Sequence, residues 1–268
     1  FPYSGFHFHT MHPSEWLQGF LTGHTAIAQD SLRWLARNGQ NLAQVVLLDQ
    51  DNALIAHNLQ PLILFGHKLG VMFGVDVSFN LIQQKAYRLI GKSSKLRALG
   101  LFPGDQEKEL RSSIADLNKI LSFDFMTIEI GSSEFTSSGY RKTINWMNIA
   151  DQELRSQRRS LFIKVHASNG MHDKEYGNFN FIPQYASPYV GILPHTVMYF
   201  SLTDKKAPVY NRENFQSMKD FTIKEAPLRQ TWYYPETSYF IAMDIDVPLL
   251  LTDYLIARSE DMDNVEKW

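Results

Sequence analysis

The stretch Val71-Met72-Phe73-Gly74-Val75-Asp76-Val77-Ser78 decides the fold class of this chain. Its odd-numbered residues are all apolar, whereas its even-numbered residues include Asp76 and Ser78 near the end. Successive side chains of a strand point to opposite faces, so one face of this strand is wholly apolar and the other becomes polar. A barrel strand whose apolar face meets helices and whose polar face meets the barrel axis has this pattern.

Further stretches of the chain have the same strand-like character, and helical segments separate them. The predicted strands are Gly5–His9, Leu42–Asp49, Val71–Ser78, Phe125–Gly131, Leu161–Ala167, Val190–His195 and Arg229–Tyr234. The predicted helices include Ser14–Arg37, Asp105–Leu121, Gly139–Arg159, Asn211–Glu225 and Val247–Met262. This alternation indicates a parallel sheet with crossover helices. We therefore predict a TIM-like (β/α) barrel; a doubly wound sheet is the alternative, although no glycine-rich phosphate loop follows the first strand.

The predicted strands fall one short of the eight that complete such a barrel. The run Phe240–Asp246 resembles a strand, but it follows Tyr234 too closely to leave room for a crossover helix. We therefore predict a loop there, and an eighth strand that lies beyond Trp268 or is missing. One domain spanning residues 1–268 is expected, because no repeat or linker-like stretch interrupts the sequence. A start at Phe1 and a missing strand indicate a piece of a longer protein.

The composition excludes several classes of protein. A net charge of -2 argues against a nucleic-acid-binding domain, which usually carries a basic excess. No apolar run is long enough to cross a membrane, and the run Val247–Leu251, for example, is far too short. Without cysteine, disulfides, zinc–thiolate sites and thiol nucleophiles are impossible. We expect no cofactor. The expected partner is a small-molecule or oligosaccharide substrate. No feature of the sequence indicates the cellular compartment.

Ionisable side chains share one face of four predicted strands and lie toward the carboxyl ends. They are His7, His9, Asp76, Glu129, Lys164 and His166, and His195 lies at a similar strand end. Catalytic groups of barrels lie at these ends, so we expect the seven to share one cavity, and all of them except Glu129 to bind substrate. Burying so many ionisable groups without a use would be costly. The alternative is that each one is a buried polar residue satisfied by its neighbours.

Carboxylates follow the fourth and seventh predicted strands. Glu129 and Glu134 lie at or just after the fourth strand, and Glu236 follows the seventh. Glycoside hydrolysis needs two such carboxylates across a cleft, one to protonate the leaving oxygen and one to attack the sugar or activate water. This placement resembles the large clan of glycoside-hydrolase barrels, although that clan usually has Asn before the fourth-strand Glu, where this chain has Ser133 or Ile128. The resemblance implies a catalytic pair of Glu236 with Glu134 or Glu129.

Aromatic residues surround Glu236 in the sequence. They are Trp232, Tyr233, Tyr234 and Tyr239. Trp232 and Tyr233 are predicted to bind substrate, because a sugar-binding site needs rings on which the sugar can stack. The alternative is that the rings pack a core and that Glu236 caps a helix. A non-catalytic sugar-binding domain would keep the same rings.

A metal-dependent hydrolase is the second functional alternative. The pair His7-x-His9 at the end of the first strand resembles the amidohydrolase barrels, and Glu129, His166 and His195 follow on later strands. Imidazoles and a carboxylate suit zinc, which activates water. The eighth-strand aspartate of that pattern has no match, so we expect no tightly bound transition metal. The run Tyr176–Pro188 is predicted to be a long loop that could cover the site.

Overall fold

The structure is a computed structural model that describes residues 2–9, 15–91, 104–133, 136–166, 171–197, 200–209, 213–236 and 252–267. The chain divides into two compact units, Phe1–Phe162 and Ile163–Trp268, with the boundary inside the fifth strand. The expectation of one domain over the whole chain stays a prediction.

The first unit alternates strands with helices. In chain order it contains β1 (Gly5–Phe8), α1 (Glu15–Thr22), α2 (Thr25–Arg37), β2 (Leu42–Val46), α3 (Asn52–Lys68), β3 (Met72–Ser78), α4 (Gln106–Ile120), β4 (Phe125–Glu129), α5 (Tyr140–Ser156) and the start of β5 (Ser160–Val165). Strands β1 to β4 are parallel neighbours in chain order; Val45 pairs with Phe8 on one side and with Val75 on the other. Their carboxyl ends therefore lie at one edge, and helices α3 and α4 supply crossovers.

The second unit continues the alternation with shorter strands. After the rest of β5 come the antiparallel ribbon β6 (His172–Asp173) and β7 (Gly177–Asn178), a 3-10 helix (Phe179–Tyr185), β8 (Gly191–Thr196), α6 (Gln216–Glu225), β9 (Tyr234–Pro235) and α7 (Thr252–Val265). Strands β8 and β9 are parallel, with His195 opposite Tyr234. The predicted strand Arg229–Tyr234 also touches β8 earlier, through a single bridge between Thr231 and Ile192.

Apart from the β6–β7 ribbon, seven strands alternate with helices along the chain. This mixed α/β order confirms the predicted TIM-like (β/α) barrel class. No eighth barrel strand occurs in the part of the chain that the structure describes, and the predicted loop at 240–246 lies outside it. None of the described helices combines the length and the hydropathy that crossing a membrane requires.

The predicted helix Ser14–Arg37 is wrong in one respect, because the chain forms two helices there. Gly23 separates α1 from α2 with a φ of 75°, a left-handed conformation that glycine adopts without strain. The side-chain amide of Asn58 donates to the Leu21 carbonyl over 2.9 Å and so satisfies one of the last carbonyls of α1. Ser14, the expected N-cap, lies outside the described residues.

We expect Gly23→Ala to destabilise the protein by about 1–2 kcal/mol, because alanine is strained at positive φ. A Cβ atom at this position would also stand 2.8 Å from Asn58 Oδ1. Gly39→Ala is the matched control, since Gly39 has a φ of 70° and nothing within 4 Å of the added carbon. Urea unfolding should show the larger loss for Gly23→Ala. Equal losses would contradict a role for the Asn58 contact.

Two further features of the local structure differ from the sequence analysis. The predicted helices do not include α3, which contains Pro61 and is capped by the Asp51 carboxylate, which accepts from the Ala53 amide over 2.7 Å. The predicted loop Tyr176–Pro188 contains β7 and the 3-10 helix, four of whose residues are buried. Its Phe181 ring stacks on Phe221 of α6 with centroids 4.6 Å apart. This segment is packed, so it is not a free lid.

A buried ion pair fastens the end of α6 to the segment that leads into β9. Arg229 Nε lies 2.8 Å from Glu225 Oε2, and the two side chains are only 4% and 3% exposed. The same guanidinium donates to the carbonyls of Val190 at 3.0 Å and Ser187 at 3.2 Å, just before β8. Arg229 therefore joins three neighbouring segments of the second unit.

Candidate active site

Polar side chains from β1 to β4 lie in contact in the first unit and are called the polar row: His7, Gln44, Asp76 and Thr127. His7 Nε2 lies 3.0 Å from Asp76 Oδ2, and these side chains are 4% and 3% exposed. The Thr127 hydroxyl donates to Asp76 Oδ1 over 2.8 Å, and the Gln44 amide donates to Thr127. Both oxygens of Asp76 therefore have a polar neighbour, Thr127 at Oδ1 and His7 at Oδ2.

The remaining predicted groups of the first unit lie near the ends of the same strands. The rings of His7 and His9 meet edge to face with centroids 5.3 Å apart. Glu129 is the last residue of β4, is half-buried and pairs in register with Ser78 of β3. Glu134 lies outside the described residues. Of the predicted site residues in this unit, the structure thus brings His7, His9 and Asp76 together.

A second group of predicted residues lies at the end of β8 in the second unit. The rings of His166 and His195 have centroids 5.5 Å apart, and the His195 ring stacks on Tyr234 at 4.4 Å. His195 Nδ1 lies 3.0 Å from the Tyr234 carbonyl oxygen. Because a carbonyl oxygen only accepts, Nδ1 carries the proton and Nε2 carries the basic lone pair of the neutral ring.

His166 lies in surroundings that disfavour a positive charge. Burial, followed by the charge of Lys164, lowers the pKa of His166 from 6.5 to about 4. Lys164 is itself buried on β5. His166 is therefore neutral at pH 7, the state in which an imidazole can both donate and accept a hydrogen bond.

The free energy of unfolding should fall by about 2 kcal/mol between pH 7 and pH 5, because the unfolded chain gains a proton at His166 that the folded chain does not take up. The contribution is complete above the unfolded pKa of 6.5 and is lost as the pH falls toward about 4. Urea titrations at several pH values measure the slope. His166→Gln should flatten it, whereas His172→Gln, at an exposed histidine of the same unit, should not. An unchanged slope in His166→Gln would contradict the assignment.

Glu236 follows β9 directly and is half-buried. Its backbone amide donates to the Thr196 carbonyl over 2.9 Å, which is the hydrogen bond of the last β8–β9 pair, Thr196 with Pro235. Trp232 and Tyr234 are half-buried near it along the chain, whereas Tyr239 lies outside the described residues. The backbone of Glu236, which carries the carboxylate, is therefore held at the end of a strand.

The hydroxyl of Tyr233, predicted to bind substrate, is engaged within the protein. It donates to Asp261 Oδ2 over 2.8 Å and accepts from Arg258 Nη1 over 2.6 Å. Arg258 and Asp261 are not identified by the sequence analysis, because their shared partner Tyr233 is 25 and 28 residues away along the chain. Their i, i+3 spacing on a predicted helix was the only local signal.

No group of three or more His, Asp and Glu side chains that could hold a metal ion occurs among the residues described. The alternative ligand set divides between the units, with His7, His9 and Glu129 in the first and His166 and His195 in the second. Whether the isolated protein carries a transition metal stays a prediction.

Comparison with known proteins shows the fold. No family model and no curated protein matches the chain. The chain is similar to a glycoside hydrolase family 5 enzyme from Prevotella bryantii B14, with a TM-score of 0.52 and 11% identity over 88% of this chain and 76% of that chain. A mutant of that enzyme, in complex with a xyloglucan tetradecasaccharide, matches with a TM-score of 0.52 and 12% identity over 89% and 75%.

A glycoside hydrolase family 20 beta-N-acetylglucosaminidase is similar over 88% of this chain and 53% of its own, with a TM-score of 0.51 and 9% identity. This chain thus spans about half of that protein. At such identities the likeness extends to the fold alone, which is the barrel fold found in these glycoside hydrolases.

Proposed function

We propose that this chain is a glycoside hydrolase that uses Glu236 as one of two catalytic carboxylates. The observation that carries the proposal is the position of Glu236 directly after β9, the seventh barrel strand along the chain. Catalytic groups of (β/α) barrels lie at the carboxyl ends of their strands. The likeness of the fold to glycoside hydrolase barrels supports the same reading.

The second carboxylate in this proposal comes from the fourth strand. Glu129, the last residue of β4, and Glu134, five residues later, are the two candidates. One member of the pair protonates the oxygen of the leaving sugar, and the other attacks the anomeric carbon or activates a water molecule. The half-buried rings of Trp232 and Tyr234 near Glu236 give apolar faces against which a sugar can stack.

Neutral and charged polar groups would bind the hydroxyls of the sugar. In this proposal the substrate-binding residues are His7, His9, Asp76, Lys164, His166, His195 and Trp232. The neutral ring of His166 and the basic Nε2 of His195 suit hydroxyl groups, which both donate and accept hydrogen bonds. Tyr233 is left out of this set, because its hydroxyl is already bound to Asp261 and Arg258.

A substrate panel tests the proposal. The whole chain is incubated with aryl β-glucoside, aryl β-xyloside, aryl N-acetyl-β-glucosaminide and xyloglucan, with and without EDTA. Release of the aryl group or of reducing ends that EDTA does not change supports the glycoside hydrolase. Turnover that EDTA abolishes would overturn it in favour of the metal-dependent hydrolase. Saturable sugar binding by calorimetry without turnover would overturn it in favour of a sugar-binding domain.

A further inference from the structure

Helix α7 carries a buried ion pair that the proposed chemistry does not use directly. Arg258 Nη1 lies 2.8 Å from Asp261 Oδ2, with the side chains 10% and 0% exposed. Burying two charges costs several kcal/mol each before their attraction offsets it, so a stable fold gains little from such a pair alone. The role of this ion pair therefore depends on the other groups that Arg258 and Asp261 bind.

The hydroxyl of Tyr233 is held by three groups at once. Burial raises the pKa of Tyr233, so the phenol keeps its proton and donates it to Asp261. The two lone pairs of the same oxygen accept from Arg258 and from the Thr196 hydroxyl, which lies 3.0 Å away. One donor and two acceptor positions are filled, so the ring has a single position.

Thr196 connects this network to Glu236. Its side chain meets the Tyr233 hydroxyl, while its backbone carbonyl accepts the Glu236 amide over 2.9 Å. Tyr233 also precedes Glu236 by only three residues. Two short routes, one through Thr196 and one along the chain, therefore lead from the pair on α7 to the backbone that carries the carboxylate.

The same pair fixes the segment that follows β8. Asp261 accepts from the Ser201 hydroxyl at 2.5 Å and from the Leu202 amide at 2.9 Å. Arg258 Nη2 donates to the Phe200 carbonyl over 2.6 Å. The segment that follows β8 and the residue that precedes β9 are thus both bound to α7.

We propose that Arg258 and Asp261 are positioning residues that hold Glu236 in its reactive orientation through Tyr233 and Thr196. This inference rests on the proposed glycoside hydrolase function. Catalysis by a carboxylate depends steeply on its placement, and an error of about 1 Å can cost about 100-fold in rate. The pair therefore acts on kcat rather than on substrate affinity.

Tyr233→Phe tests the inference, because it removes the hydroxyl and keeps the ring. We expect kcat on the cleaved substrate to fall about 10-fold or more, with KM within about twofold of wild type. Thr222→Val is the matched control: it removes a buried hydroxyl that donates to the Met218 carbonyl over 2.7 Å in the same unit. It should lower the urea midpoint by a similar amount and leave kcat unchanged.

Arg258→Lys keeps the charge but loses the planar fork, and it serves as the second variant should Tyr233→Phe fail to fold. Arg258→Lys should reduce kcat as Tyr233→Phe does. The double variant should have a kcat little lower than that of either single variant, because both substitutions disrupt the same contacts to Glu236. A wild-type kcat in Tyr233→Phe and in Arg258→Lys would overturn the inference, as would a raised KM with unchanged kcat. If Glu236→Gln abolishes turnover while Tyr233→Phe and Arg258→Lys keep it, the positioning role is refuted and the catalytic role of Glu236 stands. A wild-type chain that cleaves no glycoside refutes the proposed function and, with it, this inference.

Discussion

Turnover should fall by at least ~100-fold in Glu236→Gln, the usual scale for losing an acid, base or nucleophile in a reaction. Glutamine keeps the shape and most contacts of the side chain but can neither attack as an anion nor transfer a proton. The half-buried position after β9 makes the change small for folding. Initial rates on the substrate that wild type cleaves, together with urea unfolding of both proteins, measure the two effects.

The matched control is Glu213→Gln, which removes an exposed carboxylate in the same unit. It should retain the wild-type rate. Added azide should restore turnover in Glu236→Ala; a glycosyl azide of configuration opposite to that of the substrate would assign Glu236 the nucleophile role, and one that keeps the configuration would assign it the acid and base role. Full activity in Glu236→Gln would remove the glycosidase assignment of this residue altogether.

The largest expected change in stability comes from Glu225→Ala. This substitution leaves the Arg229 guanidinium, whose side chain is 4% exposed, without its carboxylate. Removing one partner of a buried ion pair typically costs about 3–5 kcal/mol, because the other charge stays buried and uncompensated. The two carbonyls that Arg229 also binds hold it in place, so it cannot turn out to solvent easily. Urea unfolding gives the free-energy difference.

Asp30→Ala is the control for this experiment, since Asp30 forms an ion pair with Arg33 on α2 while 74% exposed. It should cost less than ~1 kcal/mol, as is usual for surface ion pairs. The double variant Glu225→Met, Arg229→Leu should recover much of the loss, because two apolar groups need no charge partner. A loss in Glu225→Ala no larger than that in Asp30→Ala would contradict the burial argument.

Much of the fold follows from local sequence patterns. The alternation of apolar and polar residues in Val71–Ser78 and in the other predicted strands predicts β1 to β5 and β8 to within a few residues. A strand that packs against helices needs an apolar face. The break at Gly23 escaped prediction because a single glycine is tolerated within a helical pattern. The seventh strand is shorter than predicted, since only Tyr234–Pro235 forms a regular ladder.

The candidate site could be predicted only in part. The contact of His7 with Asp76 follows from their shared face on neighbouring parts of one sheet. The network of Arg258 and Asp261 could not be foreseen, because it joins α7 to residues far away in sequence and no local pattern reports such pairs. Periodicity reveals which face a residue occupies, whereas contacts between distant segments depend on packing.

The polar row has a consequence for how the strands find their partners during folding. A slip of β3 by one residue would turn Asp76 to the opposite face of the strand and bring Val75 or Val77 toward His7. Asp76 would then be a buried charge without its hydrogen bonds, a penalty of several kcal/mol that the correct pairing avoids. A slip of β4 or β2 by one residue would likewise separate Thr127 or Gln44 from its hydrogen-bond partner. Misaligned sheets are therefore penalised at four strands at once, which favours a single alignment over slipped, aggregation-prone ones.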